Sequence, residues 1–286
     1  MTDGTDGTDK ADGRNMRDEA DGTGGTDEAN GTGVARETGG SLVREAHERG
    51  IATLTLDSPA NRNALSAPLV AGLGAALARC ADDPGVRAVL LTHTGNTFCA
   101  GADLKAPPDP EAFVALMRTV VELRKPVVAR VTGHVRAGGL GLLAACDIAV
   151  AGPDSSYAFT EARLGLAPAV ISMPVLPRMD PRAASRYYLT GERFDAAEAA
   201  RTGLVTLAVA SDDGIDAALE PVLDGLRRSS PEGLAASKAL VTATVSETFD
   251  RWSKELTARS ASLFASAEAR EGVTAFLERR DPAWVL

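Results

Sequence analysis

From residue 41 onward, apolar and polar positions alternate in short runs that switch between a strand period and a helix period. Residues 42–47 and 51–56 read as two strands across the turn Glu48-Arg49-Gly50, a hairpin with glycine at the tight position. Ser66 caps a helix running to about Ala81, with Leu69, Leu73 and Leu77 on one stripe. Ala88–Thr92 is an apolar strand, followed by a loop of small residues from His93 to Pro108. A helix through Phe113, Leu116 and Val120 precedes a strand at Pro126–Val131 and a glycine-rich turn. Helix is expected again at Leu140–Ala145, strand at Ile148–Ala151 and a short strand at Tyr157–Phe159.

Beyond Asp180 the pattern is mostly helical. Asp180-Pro181 and Ser230-Pro231 each combine a capping side chain with proline at the first helical position. Asp195 and Glu198 have the spacing of a capping box. A brief strand is expected at Leu204–Val209, and the last forty residues read as one or two amphipathic helices. Alternating strands and helices followed by a helical tail predict an α/β core with a helical appendage.

Residues 1–40 contain no Leu, Ile, Phe, Tyr or Trp and repeat Gly, Thr and Asp. Such a segment buries too little apolar area to offset its ordering entropy, so a disordered acidic tail is expected. The expected division is therefore tail 1–40, core 41–210 and helical region 211–286. Most of the net charge of −9 sits in the tail, and no basic stripe speaks for a nucleic-acid partner. No run approaches the ~20 apolar residues of a membrane span. Three scattered cysteines and no apolar leader point to the cytoplasm. No cluster has metal-ligand spacing, so no metal is expected.

Three segments could carry chemistry. The first is the loop Gly95–Lys105, whose small residues let a ligand approach the backbone N–H groups. The second, Thr132–Gly141, runs from a strand into a helix whose first N–H groups are unpaired. One donor from each would form an oxyanion hole. The third, Tyr157–Pro168, holds the single carboxylate Glu161 between a short strand and a turn. In apolar surroundings its pKa would rise into the range useful for proton transfer; the plain alternative is a surface ion pair with Arg163 or Arg130. Gly139-x-Gly141-x-x-Ala144, with Glu161 twenty residues beyond Gly141, resembles a dinucleotide fingerprint. Its spacing fails, because seven residues separate Val131 from Gly139. His134 reads as a hydrogen-bonded structural residue and Cys99 as a small packing residue.

In order and spacing these segments resemble the crotonase (enoyl-CoA hydratase/isomerase) family. Four stretches carry the resemblance: Asn61–Ser66, Phe98–Leu104, Lys125–Ala129 through Gly138-Gly139 to Cys146-Asp147-Ile148, and Ala269–Gly272 through Ala275–Arg280. The resemblance implies an α/β spiral of ββα units with a helical C-terminal trimerisation region. It implies an acyl-CoA thioester as substrate, coenzyme A being part of that substrate and no separate cofactor being needed. It implies backbone donors at Ala102 and Gly138 for the thioester oxygen. Substrate contacts are implied along Arg62, Ala64, Ala100, Gly101, Asp103, Leu104 and Gly139. Homotrimers or paired trimers are implied, with Arg279 or Arg280 reaching a neighbour's coenzyme A.

One departure matters. The family's second carboxylate falls on Gly141, which leaves Glu161 as the one matched acid/base. The run His134–Gly139, with Phe159-Thr160-Glu161 and Pro168–Ser172, is similar to a subgroup near the methylglutaconyl-CoA hydratases of leucine breakdown. That similarity implies a branched or carboxylated acyl group and places Arg136 against a carboxylate or a coenzyme A phosphate. The leading expectation is reversible hydration of a 2-enoyl-CoA. Double-bond isomerisation with the same glutamate, and a catalytically inactive acyl-CoA-binding protein, stay open.

Overall fold

A computed structural model of the chain describes residues 41–211 and 214–286; the tail expected at residues 1–40 lies outside them. Two strands open the described chain, β1 (Val43–Glu48) and β2 (Ile51–Leu56), paired antiparallel. Both turn residues, Arg49 and Gly50, have positive φ, which matches the right-handed twist of the strands they join. Helix α1 (Ala67–Asp82) starts where the Ser66 hydroxyl accepts the Leu69 N–H at 3.4 Å, and it buries Leu69, Leu73 and Leu77.

From there each strand is followed by a partner in a second sheet. β3 (Ala88–His93) gives way to β4 (Thr97–Cys99) and helix α2 (Pro110–Glu122). β5 (Val127–Val131) gives way to β6 (His134–Arg136) and helix α3 (Gly138–Ala145). β7 (Ile148–Ala151) gives way to β8 (Ser156–Ala158). Short helices α4 (Ser172–Val175), α5 (Pro181–Thr190) and α6 (Ala196–Arg201) follow, with β9 (Phe194–Asp195) before α6 and β10 (Leu207–Ala208) after it. The chain ends in α7 (Gly214–Arg228), α8 (Pro231–Val241), α9 (Ala243–Phe264) and α10 (Ala267–Glu278).

The large sheet has the order β1-β2-β3-β5-β7-β10, parallel beyond the first pair. The small sheet has the order β4-β6-β8-β9, with only the last pair antiparallel. Alternation between two sheets makes the core a spiral of strand-strand-helix turns. Its interior is filled by Leu54, Leu56, Leu91, Phe98, Met117 and Tyr157, all with almost no exposure.

Several expectations change in detail. The loop His93–Pro108 contains β4, and the glycine-rich turn contains β6; each is three residues long and depends on pairing with the other, which local sequence does not reveal. The strand expected at Leu204–Val209 narrows to β10 beside β7. Asp180 and Ser230 cap α5 and α8 as expected. Only half of the Asp195–Glu198 box forms. The Asp195 carboxylate accepts the Glu198 N–H at 2.8 Å, but the Glu198 carboxylate turns to Arg201 and the Tyr187 hydroxyl. Among the described residues no helix is long and apolar enough to cross a membrane.

Candidate active site

The loop after β2 leaves standard geometry at two successive residues, Arg62 and Asn63, both with φ of 51°. For side chains with a Cβ this left-handed conformation costs about 1–2 kcal/mol per residue. The side chain of Asn63, fully buried, holds it there. Its Oδ1 accepts the Ser58 N–H at 2.7 Å, and its Nδ2 donates to the carbonyls of Thr94 at 3.1 Å and Thr97 at 2.7 Å. The loop is thereby stitched to the start of β4, and backbone bonds tie it to the segment after β4. Ala100 N–H donates to Arg62 O at 3.1 Å, Leu65 N–H to Gly101 O at 2.8 Å, and Asp103 N–H to Leu65 O at 3.0 Å. In this parallel bridge Leu65 uses the groups on either side of Ala102, so the Ala102 N–H itself faces away from the pairing.

The second donor arises at the start of α3. Gly138 is the first helical residue, so its N–H has no intrahelical acceptor. Ala137 before it has φ 46° and ψ −121°, a costly conformation for alanine, fixed by its N–H bond to Ala158 O at 3.1 Å. A Cβ placed on Gly138 would lie 3.7 Å from the Ala102 nitrogen. The two free N–H groups therefore sit side by side on one wall.

Glu161 begins a single 3₁₀ turn, Glu161–Leu164, after β8. Its carboxyl is buried and its Oε2 has no hydrogen-bond partner. Burial pushes its pKa up to about 7, opposed only by a bond from its own backbone. The alternative of a surface ion pair does not hold: Arg163 donates to Thr190 O, and Arg130 pairs with Asp216. The turn is seated by α10, where backbone meets backbone: a Cβ on Gly272 would fall 2.5 Å from the Leu164 carbonyl carbon.

One cavity of about 840 Å³ gathers these groups. Arg62, Ala64, Ala100, Ala102, Asp103, Leu104, Arg136, Gly138 and Glu161 all line it. Gly101 and Gly139, expected as substrate contacts, do not. With φ of 90° and room for no Cβ beside Ala137, Gly101 lets the loop meet the α3 turn. Gly139 packs onto Cys99, whose buried thiol is pushed up to about 12. Both are close-approach residues that bring the two N–H donors together. His134 also lies off the cavity, exposed and hydrogen-bonded through Nδ1 to Ser156 Oγ at 3.0 Å. Arg280 is engaged by Glu271 and Glu278, and Arg279 closes α10 in the left-handed conformation.

The match to known proteins settles the family. The model for enoyl-CoA hydratase/isomerase matches residues 46–285. The chain belongs to the enoyl-CoA hydratase/isomerase family. A solved enoyl-CoA hydratase from Mycobacterium avium is 53% identical, with a TM-score of 0.80 over 86% of this chain and 99% of that one. A solved carnitinyl-CoA hydratase from the same species is 28% identical, with a TM-score of 0.75 over 85% of this chain and 98% of that one. A carnitinyl-CoA dehydratase from Salmonella paratyphi A is 34% identical over 82% of this chain and 94% of its own length. The spiral described above is the crotonase fold of this family.

On α3 the packing around Gly141 leaves no room for a side chain. A Cβ on Gly141 would overlap Ile171 Cγ2 and lie 2.8 Å from Ile171 Cβ and 2.9 Å from Met117 Sδ. Ile171 and Met117 are buried, so the space beside Gly141 is filled by apolar side chains. Neither Gly139 nor Gly141 lies in a phosphate-binding turn, which disposes of the dinucleotide resemblance: both are inside α3. Ile171 lines the same cavity as Glu161, a role that no spacing in the sequence announces.

Proposed function

We propose that this enzyme adds water reversibly to a 2-enoyl-CoA thioester, with Glu161 as its sole side-chain acid/base. One observation carries the reading: a buried carboxyl with an unpartnered oxygen shares a cavity with two free N–H donors. The donors of Ala102 and Gly138 hold the thioester oxygen as it becomes an enolate, the point where charge develops. Ionised Glu161 takes a proton from water while the water oxygen bonds to Cβ. The π electrons move toward the carbonyl, and Glu161 then returns the proton to Cα. The carboxylate is regenerated, and a pKa of about 7 suits both halves of the transfer. Coenzyme A enters along Arg62, Ala64, Ala100, Asp103 and Leu104. Assembly as trimers or paired trimers accords with apolar side chains left exposed on the helices, such as Leu189, Leu240 and Val241.

Double-bond migration is the second reading, favoured by the hydrocarbon that replaces a second carboxylate at Gly141. It needs one base to move a proton between carbons. Turnover of a 2-enoyl-CoA in heavy-oxygen water, beside a 3-enoyl-CoA, separates the two by whether label enters product. Glu161→Gln should lower kcat by ~10²–10⁴-fold, the weight of one general acid/base, while product-analogue affinity changes little. Near wild-type turnover by that variant would remove Glu161 from the mechanism.

A further inference from the structure

Behind Glu161 stands a second buried polar group that the proton transfer does not use. Tyr188 lies near the end of α5, and its ring meets that of Phe159 with centroids 4.5 Å apart. Phe159 is fully buried and only two residues before Glu161. The end of α5 is fastened to the Glu161 turn itself. Arg163 Nε donates to Thr190 O at 2.9 Å, and a Cβ on Gly191 would lie 3.1 Å from Phe159 O. Tyr188 is thus held against the turn from the side away from the cavity: Glu161 lines the cavity, and neither Tyr188 nor Ser172 does.

Buried tyrosines ordinarily bond through their hydroxyl. Among the described residues the buried Tyr188 Oη has no such partner, and neither has Glu161 Oε2. The two are complementary, because a phenol can donate and a carboxylate can only accept. Burial pushes the Tyr188 phenol up; the Ser172 hydroxyl opposes that rise and the Glu161 carboxylate adds to it, so both groups are close enough to act on it. The Ser172 proton is committed to Pro168 O at 2.6 Å, so Ser172 offers Tyr188 a lone pair. The Tyr188 hydroxyl is therefore a donor with two acceptors in reach, Ser172 and Glu161. Ionised Glu161 is the stronger of them, since a bond to a charged acceptor is roughly twice as strong as a neutral one. Charged groups on the elements around the turn are engaged or exposed. Arg163 holds Thr190 O, Arg136 holds Ser156, Arg186 pairs with Glu192 and Glu271 with Arg280, while Glu268 and Arg193 are exposed. None of them moves the Glu161 carboxyl, which burial raises and only its own backbone opposes.

We propose that Tyr188 is a positioning residue for Glu161: its hydroxyl turns from Ser172 to the Glu161 carboxylate, directly or across one water, and steadies the ionised form. This rests on the reading of Glu161 as the acid/base. Glu161 loses and regains its negative charge in each turnover, and a donor that alternates between Ser172 and the carboxylate follows that charge from behind, without entering the cavity. No proton leaves Tyr188, because a phenol raised by burial stays protonated throughout.

Carbon-13 NMR of protein labelled at the glutamate side-chain carboxyl reads the Glu161 titration without any turnover, with Glu161→Gln assigning the signal. Tyr188→Phe keeps the ring on Phe159 and removes only a hydroxyl on which no other protein group depends, so folding is kept. Losing a donor to the ionised form should raise the Glu161 midpoint by about 1 pH unit, the lower end of a charge-assisted hydrogen bond. Ser172→Ala removes the competing acceptor and should lower the midpoint instead. Tyr187→Phe, on the same helix but bonded to Glu198, should leave it unmoved. With a 2-enoyl-CoA, kcat/KM of Tyr188→Phe should fall ~10-fold at the acid end of the profile and return to the wild-type value above about pH 9. A merely structural loss would be equal at every pH. If the wild type hydrates no enoyl-CoA, the hydration reading fails and the NMR midpoints still decide the link between Tyr188 and Glu161. An unmoved midpoint in Tyr188→Phe, or one that rises in Ser172→Ala as well, would overturn it.

Discussion

Replacing Gly141 tests whether the space of a second carboxylate is closed. In an ordinary exposed helix, Gly→Ala would stabilise by roughly 1 kcal/mol through helix propensity. Here the new Cβ would overlap Ile171 Cγ2 and approach Ile171 Cβ at 2.8 Å and Met117 Sδ at 2.9 Å. The branched end of a buried isoleucine cannot swing aside as a long surface chain would. Overpacking of this kind costs about 1–3 kcal/mol, which outweighs the propensity gain. Gly141→Ala should therefore lower stability, and Gly141→Glu should lower it further because its carboxylate is forced among apolar groups. Ile171→Ala alone should cost about 2–5 kcal/mol as a cavity. Combined with Gly141→Ala, the two changes should partly offset each other, with a coupling of about 1–3 kcal/mol measured by urea unfolding of the four proteins. A Gly141→Ala protein as stable as wild type, or strict additivity in the cycle, would refute the packing argument. Turnover on the same preparations adds a second reading: Gly141→Glu should not raise hydration unless Ile171 is also reduced.

Two further outcomes follow from particular groups. Glu161 holds its proton to about pH 7 in the folded chain, against a reference value of 4.5. Stability from its neutral burial is complete below the unfolded pKa and lost as pH rises through about 7, a fall on the order of 3 kcal/mol. Urea unfolding should show this slope in wild type and not in Glu161→Gln, while kcat/KM of the wild type rises to a plateau through the same range; identical stability slopes would contradict the assignment. Asn63→Ala should cost about 3 kcal/mol or more, since it strands the Ser58 N–H and two carbonyls and leaves alanine at φ 51°. It should also slow turnover by loosening the loop that holds Ala102, and a loss of stability below about 1 kcal/mol would show that Asn63 does not hold the loop.

Local sequence was enough for whatever depends on neighbours along the chain. The stripe Leu69, Leu73, Leu77, the caps at Ser66, Asp180 and Ser230, and the β1–β2 hairpin could all be read because their signals lie within a few residues. The glycine-rich turns before Ala102 and Gly138 and the lone carboxylate Glu161 were legible as candidate chemistry for the same reason. Pairing between distant segments escaped that reading. β4 and β6 are too short to announce themselves and exist because each supplies the other's hydrogen bonds. Gly101 and Gly139 looked like ligand contacts, but their missing side chains admit other backbone instead. Ile171 fills the place opposite Gly141 only because the chain after Glu161 folds back over α3. Side-chain volume and charge are written residue by residue; which of them occupy the same few ångströms is decided by long-range packing.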